Sequence, residues 1–270
     1  MKYKLLALDM DGTTLNSEKK ITPKTADAIS ELSRRGVAVV LSTGRGLAEL
    51  ADYKAELKTL QYGILISGGM VYDFFNAKPI TTHPLQEKIM FELVDGAESE
   101  NAMIQLLTEN DSLVREEDIL NMETFGMGIY QDMYYRNCVR FDDFKKFIRE
   151  NPGKVLKLNI YHRSAESRER NFKRFGNLEV NFSYAEETAI ETCPKNITKA
   201  SGLKELCDFL KIEIAETVAV GDAPNDTEIL KAAGLAVAMG NASAEIKNLA
   251  DFVTDDNDHD GIVKVIEKFF

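Results

Sequence analysis

Two stretches of the sequence place aspartates at alternate positions directly before a glycine. Near the start, LALDMDGTTL sets Asp9 and Asp11 ahead of Gly12. Near the end, DNDHDGIVKVIE, residues 256–267, has the same alternation and ends on Glu267, which matches the calcium loop of an EF-hand. Acids spaced in this way can hold a hard divalent cation, or one of them can attack a phosphoryl group. The two stretches therefore suggest different proteins, a calcium-binding module or an enzyme.

Further polar residues follow short apolar runs elsewhere in the chain. They are Ser42, Thr43, Gly44 and Arg45 after VAVVL, and Gly221, Asp222, Asn225 and Asp226 after TVAV. Lys199 opens the apolar stretch that precedes TVAV. Ligands of open parallel sheets bind beyond the carboxyl ends of the strands. We therefore expect these residues to meet Asp9 and Asp11 in one crevice.

This set of side chains has a chemical logic. A carboxylate can form an aspartyl-phosphate intermediate, but charge repulsion opposes its attack unless cations neutralise both partners. Mg²⁺ fits this need because a few carboxylates, water and substrate oxygens satisfy it. Lys199 would add a fixed positive charge, and Thr43 with backbone amides would hold phosphoryl oxygens. Of two neighbouring acids, one is ionised to attack while the other carries a proton for the leaving group.

The elements that must position these residues alternate between strand and helix at both ends of the chain. Apolar runs predict strands over residues 5–8, 37–41, 62–66, 217–220, 235–239 and 251–254. Helical spacing predicts helices that begin at Thr22-Pro23, that run through Leu47, Leu50 and Leu57, through Leu203, Leu206 and Leu210, through Ile229 and Leu230 and through Ile246 and Leu249, and that span 262–269. This order predicts an α/β fold with a doubly wound, Rossmann-like parallel sheet.

The middle of the chain has a different pattern. KLNIYH at 157–162 and LEVNFSY at 178–184 alternate polar and apolar residues, which predicts an antiparallel sheet with one wet face. Helices are expected near 86–99, 141–150 and 164–175, and the acid-rich stretch 95–118 and His162 are expected at the surface. We therefore predict an inserted α+β cap domain over 83–192, and a catalytic core formed by 1–82 and 193–270.

The quoted motifs resemble those of the haloacid dehalogenase superfamily of phosphotransferases. DMDGTTL, STGR, Lys199 and GDAPND look like its four motifs in order and spacing, over the whole chain. The insertion after the third strand, with STGR and GDxxND, resembles the Cof-type branch, whose cap is of the C2B kind. The resemblance implies a Mg²⁺-dependent phosphatase of small phosphomonoesters, such as a sugar phosphate, a nucleotide or a phosphorylated cofactor.

The resemblance also implies a role for each matching residue. Asp9 would be the nucleophile and a metal ligand, and Asp11 the general acid/base, with its backbone carbonyl on the metal. Lys199 would stabilise the nucleophile and the transferring group. The remaining roles are phosphoryl binding by Thr43 and the Gly44 amide, substrate proximity for Arg45, the third metal ligand for Asp222, and support from Asn225 and Asp226.

Two positions depart from the family pattern. Relatives commonly have Asn-Gly where this chain has Ser67-Gly68-Gly69, and Gly where it has Ala200. Both could alter the phosphate side of the site. Lys195 is a nearby alternative for the lysine role, and Lys199 is preferred because it opens the helix and matches the family spacing.

The composition of the chain limits which partners and which compartment we expect for the protein. A net charge of −11 repels phosphate backbones, so nucleic acid is not expected, and a phosphorylated metabolite would need a metal or local cations. No apolar run is long enough for a membrane span and no signal peptide opens the chain, so a cytoplasmic protein is expected. Three scattered cysteines predict reduced thiols, with Cys207 in the core. No obligate protein partner is evident.

Three rival functions fit some of these features. A phosphomutase or phosphotransferase would use the same aspartate and differ only in the acceptor. A receiver domain would share the acids, threonine and lysine but would be half this length. A non-enzymatic calcium-binding protein would use 256–267, but DFVTD before that stretch predicts a strand where an EF-hand needs a helix. Asp258 or Asp260 is instead expected to cap the last helix.

Overall fold

The computed structural model describes residues 2–183 and 187–270, and the chain forms two compact units. The core unit comprises Met1–Gly44, Tyr53–Thr81 and Thr198–Phe270, and the inserted unit comprises Arg45–Asp52 and Thr82–Ile197. The short segment Arg45–Asp52 thus groups with the inserted unit, although the sequence places it among the elements of the core.

The described residues contain strands and α-helices with the following bounds. The strands are β1 (Leu5–Leu8), β2 (Ala38–Ser42), β3 (Tyr62–Leu65), β4 (Met70–Asp73), β5 (Lys78–Thr82), β6 (Met103–Thr108), β7 (Ser112–Val114), β8 (Val139–Arg140), β9 (Val155–Tyr161), β10 (Val180–Ser183), β11 (Ala189–Pro194), β12 (Thr217–Gly221), β13 (Leu235–Ala238) and β14 (Phe252–Val253). The helices are α1 (Pro23–Arg34), α2 (Glu87–Ser99), α3 (Glu116–Leu120), α4 (Gln131–Asn137), α5 (Phe144–Glu150), α6 (Ala165–Phe175), α7 (Lys199–Leu210), α8 (Thr227–Ala232), α9 (Ala244–Leu249) and α10 (Gly261–Phe269).

The core unit is built on one eight-stranded sheet in the order β14-β13-β12-β1-β2-β3-β4-β5. The strands from β14 to β3 run parallel, and β4 pairs with β3 antiparallel. Apolar residues of β1, β2, β12 and β13 pack with α7, α8 and α9 in one buried cluster. The prediction of a doubly wound α/β core is confirmed, because the central strands β1 and β12 are fully buried parallel neighbours, and α1 and α8 each connect two parallel strands of the sheet.

One of the two predicted helices in the N-terminal part of the chain forms as expected. The Thr22 hydroxyl accepts a hydrogen bond from the Thr25 amide, and Pro23 occupies the first turn of α1. The helix predicted through Leu47, Leu50 and Leu57 is wrong, since only a 3₁₀ helix, Ala48–Tyr53, and turns form there.

A buried carboxylate accounts for the missing helix. Glu49 accepts a hydrogen bond from the Gly46 amide at 2.8 Å and another from the Gln105 side chain at 3.1 Å. Tertiary contacts of this kind override local helix propensity.

The inserted unit contains a six-stranded sheet in the order β10-β11-β9-β6-β7-β8. Its central pairs are antiparallel, as predicted, and helices α2, α5 and α6 pack against one face through a single apolar cluster. The expected wet face is wrong for β9, because all seven of its residues are buried. A second cluster, which includes Ile119, Phe125 and Tyr134, covers part of the other face. Tyr184, the end of one predicted strand, lies outside the described residues.

Of two further surface predictions in this unit, the one for His162 is wrong and the one for the acid-rich stretch holds in part. His162 is fully buried, with its Nε2 2.9 Å from Asn171 Nδ2 and its Nδ1 3.0 Å from the Thr188 carbonyl oxygen. Burial lowers the pKa of His162. Within the acid-rich stretch 95–118, most of the acids are exposed, as expected, whereas Asp118 and the acid-free strand β6 are buried. Alternation in a sequence separates two faces of a strand but does not reveal whether the polar face is covered.

Two composition-based predictions can be compared with the structure. None of the three cysteines forms a disulfide with a described residue, all three are buried, and Cys207 lies in the core, as expected. Across residues 2–183 and 187–270, no helix has both the length and the apolar composition that crossing a bilayer requires.

Candidate active site

The carboxyl ends of β1 and β12 bring the first acids together. The two strands are parallel neighbours with Leu8 opposite Val220, and the Asp9 amide donates to the Val220 carbonyl at 3.0 Å. Asp9 therefore leaves β1 beside the point where Gly221 and Asp222 leave β12. This proximity is a consequence of parallel pairing, since adjacent strands end at the same edge of a sheet.

Lys199 connects two acids of this edge. Its Nζ lies 2.5 Å from Asp9 Oδ1 and 2.6 Å from Asp226 Oδ1, and the side chain is 1% exposed. Lys199 is the first residue of α7, which Thr198 and Ser201 fix through a reciprocal capping box. Burial would lower the pKa of Lys199, but the carboxylates of Asp226 and Asp9 raise it above its ordinary value. The lysine is therefore a permanent cation.

The rival lysine lies elsewhere. Lys195 belongs to the inserted unit, is more than half exposed and pairs with Glu179 at 2.8 Å. Within the described residues, Lys199 is thus the lysine that reaches the carboxylate of Asp9.

Asp9, Asp222 and Asp226 form a carboxylate cluster. One oxygen of each lies within 4.8 Å of the others, and this is the only such group of three potential metal ligands found among the described residues. Burial raises the pKa of Asp9, and the carboxylates of Asp226 and Asp222 raise it further against the opposing effect of Lys199. Burial also raises the pKa of Asp222 to about 6. Three carboxyl groups thus share the single ammonium group of Lys199, which makes the ionisation of all three unfavourable without a further cation.

The three carboxylates are engaged to different degrees. Besides Lys199, Asp226 accepts hydrogen bonds from the amides of Asp222 at 3.1 Å and Ala223 at 3.2 Å, so both of its oxygens are used. Asp222 accepts from the Thr13 hydroxyl at 2.7 Å through one oxygen only. Asp226 is thus fitted to support the cluster, while Asp9 and Asp222 can offer oxygens to a cation.

Glycine keeps the backbone close to these acids. Gly12 has φ +79°, and a Cβ there would lie 2.3 Å from Asp222 Oδ2. Only glycine adopts this conformation at this distance without strain. Asn225, predicted to support the site, has a buried Oδ1 without a hydrogen-bond partner in the described part of the chain. This unsatisfied oxygen, in the loop between Asp222 and Asp226, is a further ligand atom available to a cation.

Asp11 lies apart from the cluster of three. Its Oδ1 is 2.9 Å from Lys19 Nζ, and both side chains are about one-third exposed. Sequence reasoning missed Lys19, because nothing in NSEKK shows which lysine folds back toward the acid. It also gave no role to Thr13, whose signal is its place directly after the acidic pair.

Thr43 and Gly44 follow β2 at the same edge of the core sheet. Thr43 is buried, its amide donates to the Ile64 carbonyl at 2.9 Å, and its carbonyl accepts from the Ser67 amide at 3.0 Å. Ile66 and Ser67 both have φ +56°, which is rare for a β-branched residue such as isoleucine. The loop after β3 is therefore held in a strained shape against the loop after β2.

The glycines after Ser67 serve the lysine helix. Gly68 has φ +95°, and a Cβ there would lie 2.0 Å from the Thr198 carbonyl oxygen. Ala200, the other departure from the family pattern, is buried in the first turn of α7. Both departures thus lie next to Lys199 in the fold.

Arg45 is placed in the inserted unit. Its Nη1 lies 3.2 Å from Met133 Sδ and 3.5 Å from the Glu49 carbonyl oxygen, and its guanidinium is 5.9 Å from the centre of the Tyr130 ring. Arg45 follows Thr43 by two positions in the chain.

The calcium-like stretch uses its acids within the core unit. Asp258 accepts from the Ser17 amide at 2.8 Å, Asp260 from the Thr22 hydroxyl at 2.5 Å, and Asp256 pairs with His259 at 2.6 Å. Strand β14 precedes it, as the sequence predicts. Asp260 occupies the N-cap position of α10, as predicted, but its side chain accepts hydrogen bonds from Thr22 and Thr25 and makes none to the first turn of the helix.

Comparisons with known proteins agree along the whole chain. A family profile described as haloacid dehalogenase-like hydrolase matches residues 6–266. The 5-amino-6-(5-phospho-D-ribitylamino)uracil phosphatase YcsE of Bacillus subtilis (strain 168) is 31% identical over 267 residues, which is 97% of this chain and 94% of the relative. Phosphatase YwpJ of the same organism is 28% identical, with 98% and 99% covered. A solved haloacid dehalogenase-like hydrolase from B. subtilis superposes with a TM-score of 0.88 at 26% identity, with 99% and 100% covered.

Proposed function

The chain belongs to the haloacid dehalogenase-like hydrolase family, and from this premise we propose that it is a Mg²⁺-dependent phosphatase of small phosphomonoesters with Asp9 as its nucleophile. The observation that carries the proposal is the buried carboxylate of Asp9 at the end of β1, held by Lys199 at 2.5 Å. Relatives along the full length of the chain are named phosphatases, and one of them is named for a phosphorylated ribityl compound. A sugar phosphate, a nucleotide or a phosphorylated cofactor is the substrate class we propose.

The reaction has two steps that share one aspartate. In the first, a carboxylate oxygen of Asp9 bonds to phosphorus, the bond from phosphorus to the ester oxygen breaks, and Asp11 gives its proton to the departing alkoxide. In the second, water attacks the phosphorus of the aspartyl-phosphate and Asp11 takes a proton from it. Inorganic phosphate leaves, and Asp9 is restored as a carboxylate.

The donor set fits Mg²⁺. Asp9 and Asp222 would hold it with their carboxylates and Asp11 with its backbone carbonyl, while Asn225 and Asp226 support the site from the loop after β12. Oxygen donors from few protein groups are what this ion prefers. When bound, Mg²⁺ would supply positive charge that offsets the repulsion between the nucleophile and the phosphoryl oxygens.

The residues of the chain supply the remaining functions. Lys199 favours the ionised form of Asp9, which burial opposes, and adds positive charge at the phosphoryl group. Thr43 and the Gly44 amide would bind the phosphoryl oxygens, with Asn225 as a further contact. Arg45 follows them directly in the chain and would bind the substrate with its guanidinium.

A phosphate-release assay tests the proposal. Purified protein is incubated with Mg²⁺ and a panel of sugar phosphates, nucleotides and phosphorylated cofactors, and free phosphate is measured alongside the organic product. We expect turnover that Asp9→Asn lowers about 10⁴-fold or more, as for removal of other nucleophiles. Asp27→Asn, an exposed aspartate on α1, should leave the rate unchanged.

Two results would overturn the proposal. Near-normal turnover by Asp9→Asn, with an unchanged circular dichroism spectrum, would exclude Asp9 as the nucleophile. An isomerised product without free phosphate would identify a phosphomutase that uses the same aspartate.

A further inference from the structure

We propose that Lys19 is a positioning residue that holds Asp11 in place to deliver its proton to the leaving group. The inference rests on the proposed function, in which Asp11 is the general acid/base. Lys19 Nζ lies 2.9 Å from Asp11 Oδ1, and the pair is only about one-third exposed. A charged hydrogen bond to one carboxylate oxygen restricts the orientation of the group.

Lys19 has an uncommon backbone conformation that several hydrogen bonds hold in place. Lys19 has φ +58°, an uncommon conformation for a residue with a side chain. The turn around it is closed by backbone hydrogen bonds of 2.9 Å from Lys19 to Asn16 and from Asn16 to Lys20, and the Asn16 side chain accepts from the Lys20 amide at 2.9 Å. The Tyr53 hydroxyl donates to the Lys19 carbonyl at 3.1 Å. A strained residue held from several sides is typical of a functional position.

The calcium-like stretch, residues 256–267, also holds the segment that carries Lys19. Asn257 donates to the Leu15 carbonyl at 2.8 Å, and Asp258 accepts from the Ser17 amide at 2.8 Å. Asn241 donates to the Gly12 carbonyl at 2.8 Å. These bonds hold the segment between Asp11 and Lys19 at several points. The second acidic stretch of the sequence thus supports the first one.

The consequence for the reaction depends on the leaving group. A basic leaving group departs only with a proton, so its loss requires a well-oriented Asp11. A 4-nitrophenolate leaves as a stabilised anion and needs no such proton. Phenyl phosphate and p-nitrophenyl phosphate have nearly the same shape but differ in this need. Their ratio of kcat/KM therefore reports proton delivery separately from binding.

The experiment compares Lys19→Met, Lys19→Arg and Lys20→Met on these two substrates with Mg²⁺. We expect Lys19→Met to lower kcat/KM for phenyl phosphate about 10- to 100-fold, and for p-nitrophenyl phosphate less than about threefold. Lys19→Arg should restore most of the loss, since it keeps the charge. Lys20→Met is the matched control, because Lys20 is the exposed neighbour paired with Glu18, and it should leave both substrates unchanged.

Each outcome separates the inference from the proposed function. Equal losses on both substrates, or no loss on either, would overturn the role of Lys19 while wild-type turnover still supports a phosphatase. If the wild type hydrolyses neither of these substrates nor the metabolite panel, both the phosphatase proposal and the role of Lys19 are overturned. Retained turnover of p-nitrophenyl phosphate by Lys19→Met shows that the variant is folded.

Discussion

Each unit of the protein buries a lysine, and the two lysines are satisfied in different ways. In the core unit, Lys199 meets Asp9 and Asp226 at the edge of a parallel sheet, with Asp222 in the same carboxylate cluster. In the inserted unit, Lys157 is fully buried in the interior of β9 and pairs with Glu191 of the neighbouring β11 at 2.7 Å. The first lysine pairs with two acids of a three-carboxylate cluster, whereas the second pairs with a single carboxylate.

The surroundings of the two lysines differ in their charge, although each contains a buried acceptor without a partner among the described residues. Near Lys157, Gln105 accepts from Asn159 at 2.9 Å and from the Tyr161 hydroxyl at 3.0 Å, and Asn159 Oδ1 is buried without a partner among the described residues. Near Lys199, Asn225 keeps a buried acceptor without a partner among the described residues, and burial raises the pKa of Asp9. Charge buried for structure is matched within the protein, whereas charge buried for chemistry is left short of cations, so that a metal and a substrate complete it.

Substitution of Lys199, the buried lysine of the core unit, should have the largest effect on turnover and on stability. Lys199→Met leaves Asp9 and Asp226 buried without their cation, so we expect turnover to fall at least about 10²-fold. The free energy of unfolding should fall by roughly 3–5 kcal/mol, the usual cost of breaking a buried pair on one side. Phosphate release and urea denaturation measure the two effects.

A second substitution separates activity from stability at this site. Lys199→Met/Asp226→Asn removes one of the stranded charges and should regain much of the stability without regaining turnover. Lys204→Met, an exposed lysine on α7, is the control and should change neither quantity. Recovery of turnover in the double variant would show that Lys199 serves structure alone.

Removal of the lysine in the inserted unit should affect stability alone in the first instance. Lys157→Met strands Glu191, whose side chain is 12% exposed, and should cost about 3 kcal/mol in urea denaturation. Lys157→Met/Glu191→Met should recover most of this loss, because an apolar pair of similar volume replaces a matched ion pair at little cost. Lys154→Met is the exposed control just before β9. A double variant as unstable as the single one would contradict the assignment of Lys157 to a matched pair.

The carboxylate cluster around Lys199 can be predicted from the sequence, whereas the buried pair of Lys157 and Glu191 cannot, for a physical reason. Asp9, Lys199 and Asp222 can be predicted because each stands at the end of a strand or the start of a helix, and parallel pairing brings such ends together. Lys157 cannot, because alternation along β9 identifies a polar face but not whether other elements bury it. His162 was placed at the surface for the same reason, and Lys19 was missed because its approach to Asp11 depends on a turn held by residues more than 200 positions away.

The smallest effect is expected where a buried carboxylate has no lysine at all. Asp118 in α3 has a buried Oδ2 without a hydrogen-bond partner in the described residues. Burial raises its pKa from 3.8 to about 6, with the charges of Arg115 and Arg163 opposing the rise. Between these pH values the folded state therefore binds more protons at Asp118 than the unfolded state does. The contribution of Asp118 to stability falls as pH rises from about 3.8 to about 6 and is constant above that.

Asp118→Asn removes the charge that causes this decline. We expect the variant to match the wild type below pH 3.8 and to exceed it by about 1 kcal/mol above pH 6, with partial exposure of the group limiting the gain. Urea denaturation at several pH values from 3.5 to 7.5 measures the difference, and Glu116→Gln, an exposed acid of the same helix, should show no such trend. If the difference in the free energy of unfolding between variant and wild type stays constant across this range, the charge of Asp118 is neutralised in the fold. Asp118 would then resemble the carboxylates that pair with Lys199 and Lys157.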